Sequence, residues 1–287
     1  MYLRISRLRV WAATAAVALV TVLSACNSSA PTKPAPAPTP SATASDAGTS
    51  IDGTKVDQLP AVPTPTVTPS PPDLSTTAGQ TAFLQQVFAD IQAVWSKEFT
   101  AAGLSYSPAR LTLFQSQIST ACGRESAEVG PFYCSGDRTV YLDLQFFKSM
   151  AAQFGVTGDF AEAYVVAHEV GHHIQNLTGI TSRIAAAGQA SSSADNALSV
   201  RAELQADCFA GVWAHSTYER HLLDAGDIEE ALHAAQVVGD DFLARARGAA
   251  VDPDSWTHGS SAQRQQWFTS GYKGGRPDAC DTFAASP

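Results

Sequence analysis

The chain has 287 residues, 45% of them hydrophobic and 16% charged, with a formal net charge of −9. An acidic chain is repelled by phosphate and gains nothing from counterion release, and no basic, aromatic-rich stripe follows residue 80, so nucleic acid is excluded as a partner. These averages mix unlike regions, which have to be read in turn.

Residues 1–25 carry Arg4, Arg7 and Arg9 and then an apolar run from Val10 to Leu23, the layout of a bacterial export signal. The run is short for a membrane span. It ends in Leu23-Ser24-Ala25-Cys26, which resembles a lipobox, where small residues admit a signal peptidase and the cysteine thiol receives diacylglycerol. The expectation is a lipoprotein signal peptide over 1–25, lipidation of Cys26, and anchoring on the extracytoplasmic face of the cell membrane. Loss of the three arginines takes the charge of the mature chain from −9 to −12. Residues 26–79 are Pro, Thr, Ser and Ala with scarcely an aromatic, too little to bury, and are expected to form a disordered, semi-extended tether.

Residues 80–287 are long enough for one domain with a substantial core. Phe83, Val87, Phe88, Ile91, Val94, Trp95 and Phe99 recur at helical spacing, predicting an amphipathic helix over 80–101 that ends near Gly103. Arg110–Phe114 reads as a short strand, and Phe132–Cys134 with Thr139–Leu144 as a hairpin. In its second strand Val140, Leu142 and Leu144 alternate with Thr139, Tyr141 and Asp143, as in a half-buried strand. Such a sheet offers an edge with which an extended peptide could pair. In an exported chain Cys122, Cys134, Cys208 and Cys280 are expected to form two disulfides, the preferred pairing being Cys122 with Cys134 and Cys208 with Cys280. No C-x-x-C pair supports a four-cysteine zinc site.

The segment His168-Glu169-Val170-Gly171-His172 has the H-E-x-x-H spacing. Four residues along a helix rise about 6 Å and turn about 40° beyond a full circle, so the two imidazoles share a face. Glu169 lies about 60° beyond His172, where it reaches a water at a metal without occupying the metal. Asp159 three residues before Glu162 reads as a capping box, and a helix over Phe160–Asn176 is expected, buried on the side of Tyr164, Ala167, Val170, Gly171 and Ile174. Gly171 inside it points to close approach by another backbone. After a polar stretch over Gly188–Asp195, a second long helix is expected over Asn196–Tyr218. Asp227-x-x-Glu230 and Ser260-x-x-Gln263 read as capping boxes of two further helices, the first with Ile228, Ala231, Leu232, Ala235 and Val238 on its apolar side, the second with Trp267 and Phe268 inside. The fold class is therefore α+β, mainly helical, with a small sheet beside the H-E-x-x-H helix.

A catalytic zinc takes three protein ligands and a water. Glu203 and Asp207 again stand four apart, so that one carboxylate can bind the metal while the other accepts a hydrogen bond from a ligand imidazole. We assign Glu203 to the metal and Asp207 to the imidazole; the reverse fits the same spacing. Ala206, Ala210 and Gly211 beside them suggest a closely packed surface.

The segments from His168 to Gln175, from Arg201 to His215 and from Thr257 to Phe268, together with Cys122-Gly123, Gly130-Pro-Phe-Tyr-Cys134 and Val140-Tyr-Leu-Asp-Leu144, resemble the bacterial neutral zinc metallopeptidases over about residues 80–280. The resemblance implies a zincin fold of the gluzincin type, with His168, His172 and Glu203 holding one zinc per chain and a peptide or protein as substrate. The lipobox and tether lie outside the likeness.

In such a site Glu169 is the general base toward a zinc-activated water. The donor to the oxyanion is assigned to His258, in a Thr-His-Gly turn just before a capped helix; Tyr272 and Tyr141 are rivals. His173 points about 100° away from His172 and is not expected to bind the metal. His215, His221 and His233 read as helix-surface or capping residues. The sequence thus supports an extracytoplasmic, lipid-anchored zinc peptidase. A zincin-fold scaffold without turnover is the alternative, disfavoured by Glu169, and a hydrolase of peptidoglycan peptides is another.

Overall fold

The structure, a computed structural model, describes residues 74–126, 129–187 and 192–284. The expected signal peptide, the lipidation site Cys26 and the tether through residue 73 lie outside the described residues. Among the described residues no helix is long and apolar enough to cross a membrane.

Helix α1 (Thr77–Ala101) starts three residues earlier than its apolar spacing predicts, because the Thr76 hydroxyl accepts from the Gly79 amide at 3.0 Å and caps it. Its buried stripe runs Leu84, Val87, Ile91, Val94, Trp95, Phe99. Strands β1 (Arg110–Phe114), β4 (Phe132–Cys134) and β5 (Thr139–Asp143) form a sheet in the order β1-β5-β4, with β5 parallel to β1 and antiparallel to β4. All five residues of β5 are buried, so the expected solvent face is absent. The reason is a hairpin that periodicity did not mark, β2 (Gln117–Thr120) with β3 (Gly123–Ser126). Ile118 of that hairpin packs with Phe114, Phe132 and Tyr141 into a second small core on this face, and the Cys122–Cys134 disulfide ties the hairpin turn to β4. Asp143 ends β5 by capping α2 (Leu144–Phe154) through the Gln145 amide.

Helix α3 (Asp159–Leu177) carries the H-E-x-x-H segment and packs against α1, α5 (Ser192–Glu219) and α6 (Asp227–Val237). Fourteen of its 19 residues are buried, which makes it a central helix instead of the one-sided one expected. Its predicted capping box does not form. The N-cap is Gly158, at φ 110°, and the Phe160 amide donates to Glu230 Oε2 of α6 at 3.1 Å. A side chain on Gly158 would lie 1.9 Å from the Glu230 carboxyl, so this cap from a neighbouring helix needs glycine. With Glu230 so used, the box expected at Asp227 is also absent; Asp227 instead accepts from the Asp224 amide at 2.8 Å. The third box forms in full, with Ser260 and Gln263 closing the start of α8 (Ser261–Gly274). Short helices α4 (Ile180–Ala187) and α7 (Asp240–Ala246), like α2, were not apparent from spacing.

Helices α3 and α5 meet where Gly171 faces Ala206. A Cβ on Gly171 would stand 2.9 Å from Ala206 Cα, which explains the glycine predicted to admit another backbone. The second disulfide, Cys208–Cys280, holds the 3-10 turn Pro277–Cys280 against α5, and both bridges follow the preferred pairing. The fold is α+β and mainly helical, with the sheet beside α3: Tyr133 on edge strand β4 hydrogen-bonds His173.

One buried carboxyl stands out in α1. Glu98 is 0% exposed, neither carboxyl oxygen has a hydrogen-bond partner, and burial pushes its pKa up to about 7. A carboxyl whose folded pKa is raised adds stability below its unfolded value, and that stability is lost as pH rises through about 7. Thermal unfolding of wild type and Glu98→Gln at pH 5 and pH 8 should therefore show the variant gaining relative to wild type at the higher pH; a pH-independent difference contradicts this.

Candidate metal centre

The backbone contact at Gly171 and Ala206 brings the predicted histidine and carboxylate positions together. His168 and His172, one turn apart on α3, set their rings perpendicular with centroids 4.8 Å apart. Glu203 reaches across from α5, placing Oε2 at 3.1 Å from His168 Nε2 and Oε1 at 3.3 Å from His172 Nε2. One donor atom from each of the three lies within 4.8 Å of the others. A tetrahedron with zinc–ligand bonds of about 2.0–2.1 Å has edges of about 3.3–3.4 Å, close to the two carboxylate–imidazole approaches, so two imidazoles and one carboxylate gathered here are a donor set that fits a zinc.

Asp207, one turn beyond Glu203, lies behind the cluster. It is fully buried, and its Oδ1 is 2.8 Å from His168 Nδ1. The carboxylate also accepts from the Tyr164 hydroxyl at 2.6 Å and from the Arg264 guanidinium in a fork, Nε to Oδ2 at 2.8 Å and Nη2 to Oδ1 at 2.9 Å. Burial alone would raise the Asp207 pKa, but Arg264 and His168 outweigh it and hold the group ionised. A carboxylate facing Nδ1 directs the Nδ1 proton toward itself and leaves Nε2 as the donor atom. Glu203 thus lies at the Nε2 atoms of both imidazoles and Asp207 at the Nδ1 atom of His168.

His172 is oriented differently. Its Nδ1 is 2.9 Å from Gln175 Oε1, an acceptor, so Nδ1 carries the proton and Nε2 again faces Glu203. Burial disfavours charge on both imidazoles, yet the neighbouring carboxylates prevail, holding the His168 pKa at about 10 and raising that of His172. Conversely, Glu203 is held well below the ordinary range against burial, by His172 first and His168 next. Glu169 is 7% exposed, and burial raises its pKa although the adjacent histidines pull it down.

The remaining candidates separate. His173 is completely buried, with Nε2 2.7 Å from the Ser107 carbonyl and Nδ1 2.9 Å from the Tyr133 hydroxyl; it ties a loop and β4 to α3 and takes no place in the cluster. His258 is exposed and paired with Asp240 Oδ1 at 3.1 Å, on a turn whose Thr257, His258 and Gly259 amides all donate to Asp240 Oδ2. That turn packs against Val200 and Leu204 of α5, without bringing His258 into hydrogen-bond contact with the cluster. Of its rivals, Tyr141 donates to Asp137 in the second core. Tyr272 sits against His215 and Tyr218, and His215 is 12 residues, or about 18 Å, along α5 from Glu203.

Tyr164, Gln175 and Arg264 were not foreseen. Tyr164 precedes His168 by one turn, so its signal was hidden among the apolar residues of the helix. Arg264 reads as a polar residue of α8 until its burial, 3% exposed, is known. Removing one partner of a buried, hydrogen-bonded ion pair costs about 3–5 kcal/mol. Urea unfolding of metal-free Arg264→Met should show a loss of about that size; a loss below about 1 kcal/mol contradicts the account of Asp207.

A sequence profile of the family described as "putative neutral zinc metallopeptidase" matches residues 49–283. Among curated relatives, the "uncharacterized protein YpfJ" of Escherichia coli strain K12 is 46% identical over 205 residues, 71% of each chain. The "uncharacterized protein Rv2575" of Mycobacterium tuberculosis strain H37Rv is 46% identical over 207 residues, 68% of each chain. No solved structure matches the chain. With its residues 49–283 matched and its donor cluster inside that span, the chain belongs to this neutral zinc metallopeptidase family.

Proposed function

We propose that the chain is a zinc-dependent endopeptidase, exported and held by a lipid on Cys26 at the extracytoplasmic face of the cell membrane, which cuts peptide bonds with Glu169 as general base. The observation that carries this reading is the cluster of His168, His172 and Glu203 with a buried carboxyl, Glu169, next to His168 in α3 and under the electrostatic influence of all three, since a purely structural metal site has no use for a base there. Export is supported by the basic and apolar segments of residues 1–25, by Cys26 directly after Ser24-Ala25, and by two disulfides, which persist in oxidising compartments.

Zinc, when bound by His168, His172 and Glu203, supplies Lewis acidity that makes water nucleophilic near neutral pH and polarises the scissile carbonyl. Glu169 accepts the proton of the attacking water as its oxygen bonds to the carbonyl carbon, then delivers that proton to the amine nitrogen as the C–N bond breaks. Burial raises the Glu169 pKa, which brings the carboxyl closer to the pH at which it must both take and give a proton. His258 is assigned the hydrogen bond to the developing oxyanion: its turn packs against Val200 and Leu204 of the helix that bears Glu203, and Asp240 fixes the ring through Nδ1.

Glu169→Gln should retain one zinc per chain and lose hydrolysis of a peptide library by about 10²–10⁴-fold, while Glu203→Ala should lose the metal. Metal analysis and product mass spectrometry check both. Full activity in Glu169→Gln would contradict the mechanism.

A further inference from the structure

The hydrogen bond that orients His172 does not end at Gln175. Gln175, 2% exposed, donates through Nε2 to the Ala202 carbonyl at 2.7 Å and to Gln205 Oε1 at 3.2 Å. Gln205, 1% exposed, donates through Nε2 to the Cys280 carbonyl at 2.9 Å. Backbone carbonyls only accept, so both amides have a fixed direction. The Cys280 carbonyl demands the NH₂ of Gln205, which turns Gln205 Oε1 toward Gln175. The Ala202 carbonyl and that oxygen together demand the NH₂ of Gln175, which leaves Gln175 Oε1, an acceptor, facing His172 Nδ1 at 2.9 Å.

The fixed end of this chain is the C-terminal segment. Cys280 is bonded to Cys208 of α5, Gln205 donates to its carbonyl, the Thr282 hydroxyl donates to the Arg201 carbonyl at 2.7 Å, and Arg201 Nη1 donates to the Phe283 carbonyl at 2.7 Å. Residues 280–283 are thus strapped along the stretch of α5 that bears Glu203 and Asp207.

We propose that Gln175 and Gln205 are positioning residues of the metal centre: anchored on the Cys280 carbonyl of the C-terminal strap, they hold His172 with its proton on Nδ1 and its Nε2 lone pair toward the metal. This rests on the reading of His168, His172 and Glu203 as zinc ligands. The two imidazoles are then oriented by unlike devices, His168 by a charged carboxylate and His172 by a neutral amide relay whose polarity is set by main chain.

The test is zinc affinity by chelator competition on the disulfide-bonded protein, together with solvent exchange of the His172 Nδ1–H in the zinc-loaded protein by nuclear magnetic resonance. Gln175→Met keeps the volume and removes the acceptor, and should weaken zinc binding about 10–100-fold and speed Nδ1–H exchange. Gln175→Glu, which keeps an acceptor oxygen toward His172, should lose clearly less than Gln175→Met. Gln205→Met should weaken binding less, because the Ala202 carbonyl remains, and should add nothing to Gln175→Met, because the two act in series. Wild-type affinity in Gln175→Met, equal losses in Gln175→Met and Gln175→Glu, or additive losses in the double variant would overturn the proposal. Should the methionine variants not fold, wild type alone decides: a rapidly exchanging His172 Nδ1–H overturns it and a protected one supports it. A wild-type chain that takes up no zinc overturns the zinc reading itself.

Discussion

The Asp207 carboxylate has no access to solvent and is shared by three helices: Tyr164 and His168 of α3, Arg264 of α8, and its own backbone in α5. A buried anion is tolerated only when its charge is met and its lone pairs are filled, and here the forked guanidinium does the first while the phenol and imidazole complete the second. Any displacement of α5 or α8 relative to α3 would leave at least one of these charges buried and unpaired. The position of Glu203, four residues before Asp207 on the same helix, follows from this constraint, and with it the spacing of the three donor atoms.

Two further features keep that geometry in place. Gly171 lets α3 and α5 approach to backbone contact beside the cluster, which brings the carboxylates of one helix to the imidazoles of the other. The C-terminal strap, covalently fixed at Cys208–Cys280, covers α5 on the side of Gln205 and closes the amide chain to His172. The disulfide at Cys122–Cys134 serves a different part of the fold, holding the β2–β3 hairpin over the outer face of the sheet.

What the sequence revealed follows from how local the determinants are. The H-E-x-x-H spacing, the Glu203–Asp207 pair and the Ser260–Gln263 capping box are set within one or two helical turns, and each was readable. The capping boxes expected at Asp159 and Asp227 failed because Glu230 of one helix caps the other, a tertiary contact with no trace in spacing. The β5 strand alternated as a half-exposed strand should, but a hairpin more than a dozen residues upstream covers its second face. Arg264 and Gln175 look like ordinary helix-surface residues until the fold buries them, and their roles depend on partners 57 residues and 27–30 residues away. Asp207 and Gln175 each face the Nδ1 atom of one of the two clustered imidazoles, yet only the charged one was legible, because an E-x-x-x-D pair is conspicuous in a helix and a lone glutamine is not.

The central claim is that one zinc is held by two imidazoles and one carboxylate at the junction of α3 and α5. X-ray absorption at the zinc edge on the purified, disulfide-bonded domain tests it most directly. The account predicts one zinc per chain with only nitrogen and oxygen neighbours at about 2.0–2.1 Å and the outer-shell scattering of two imidazoles. A sulfur shell near about 2.3 Å, or a properly folded chain that retains no zinc, would contradict it.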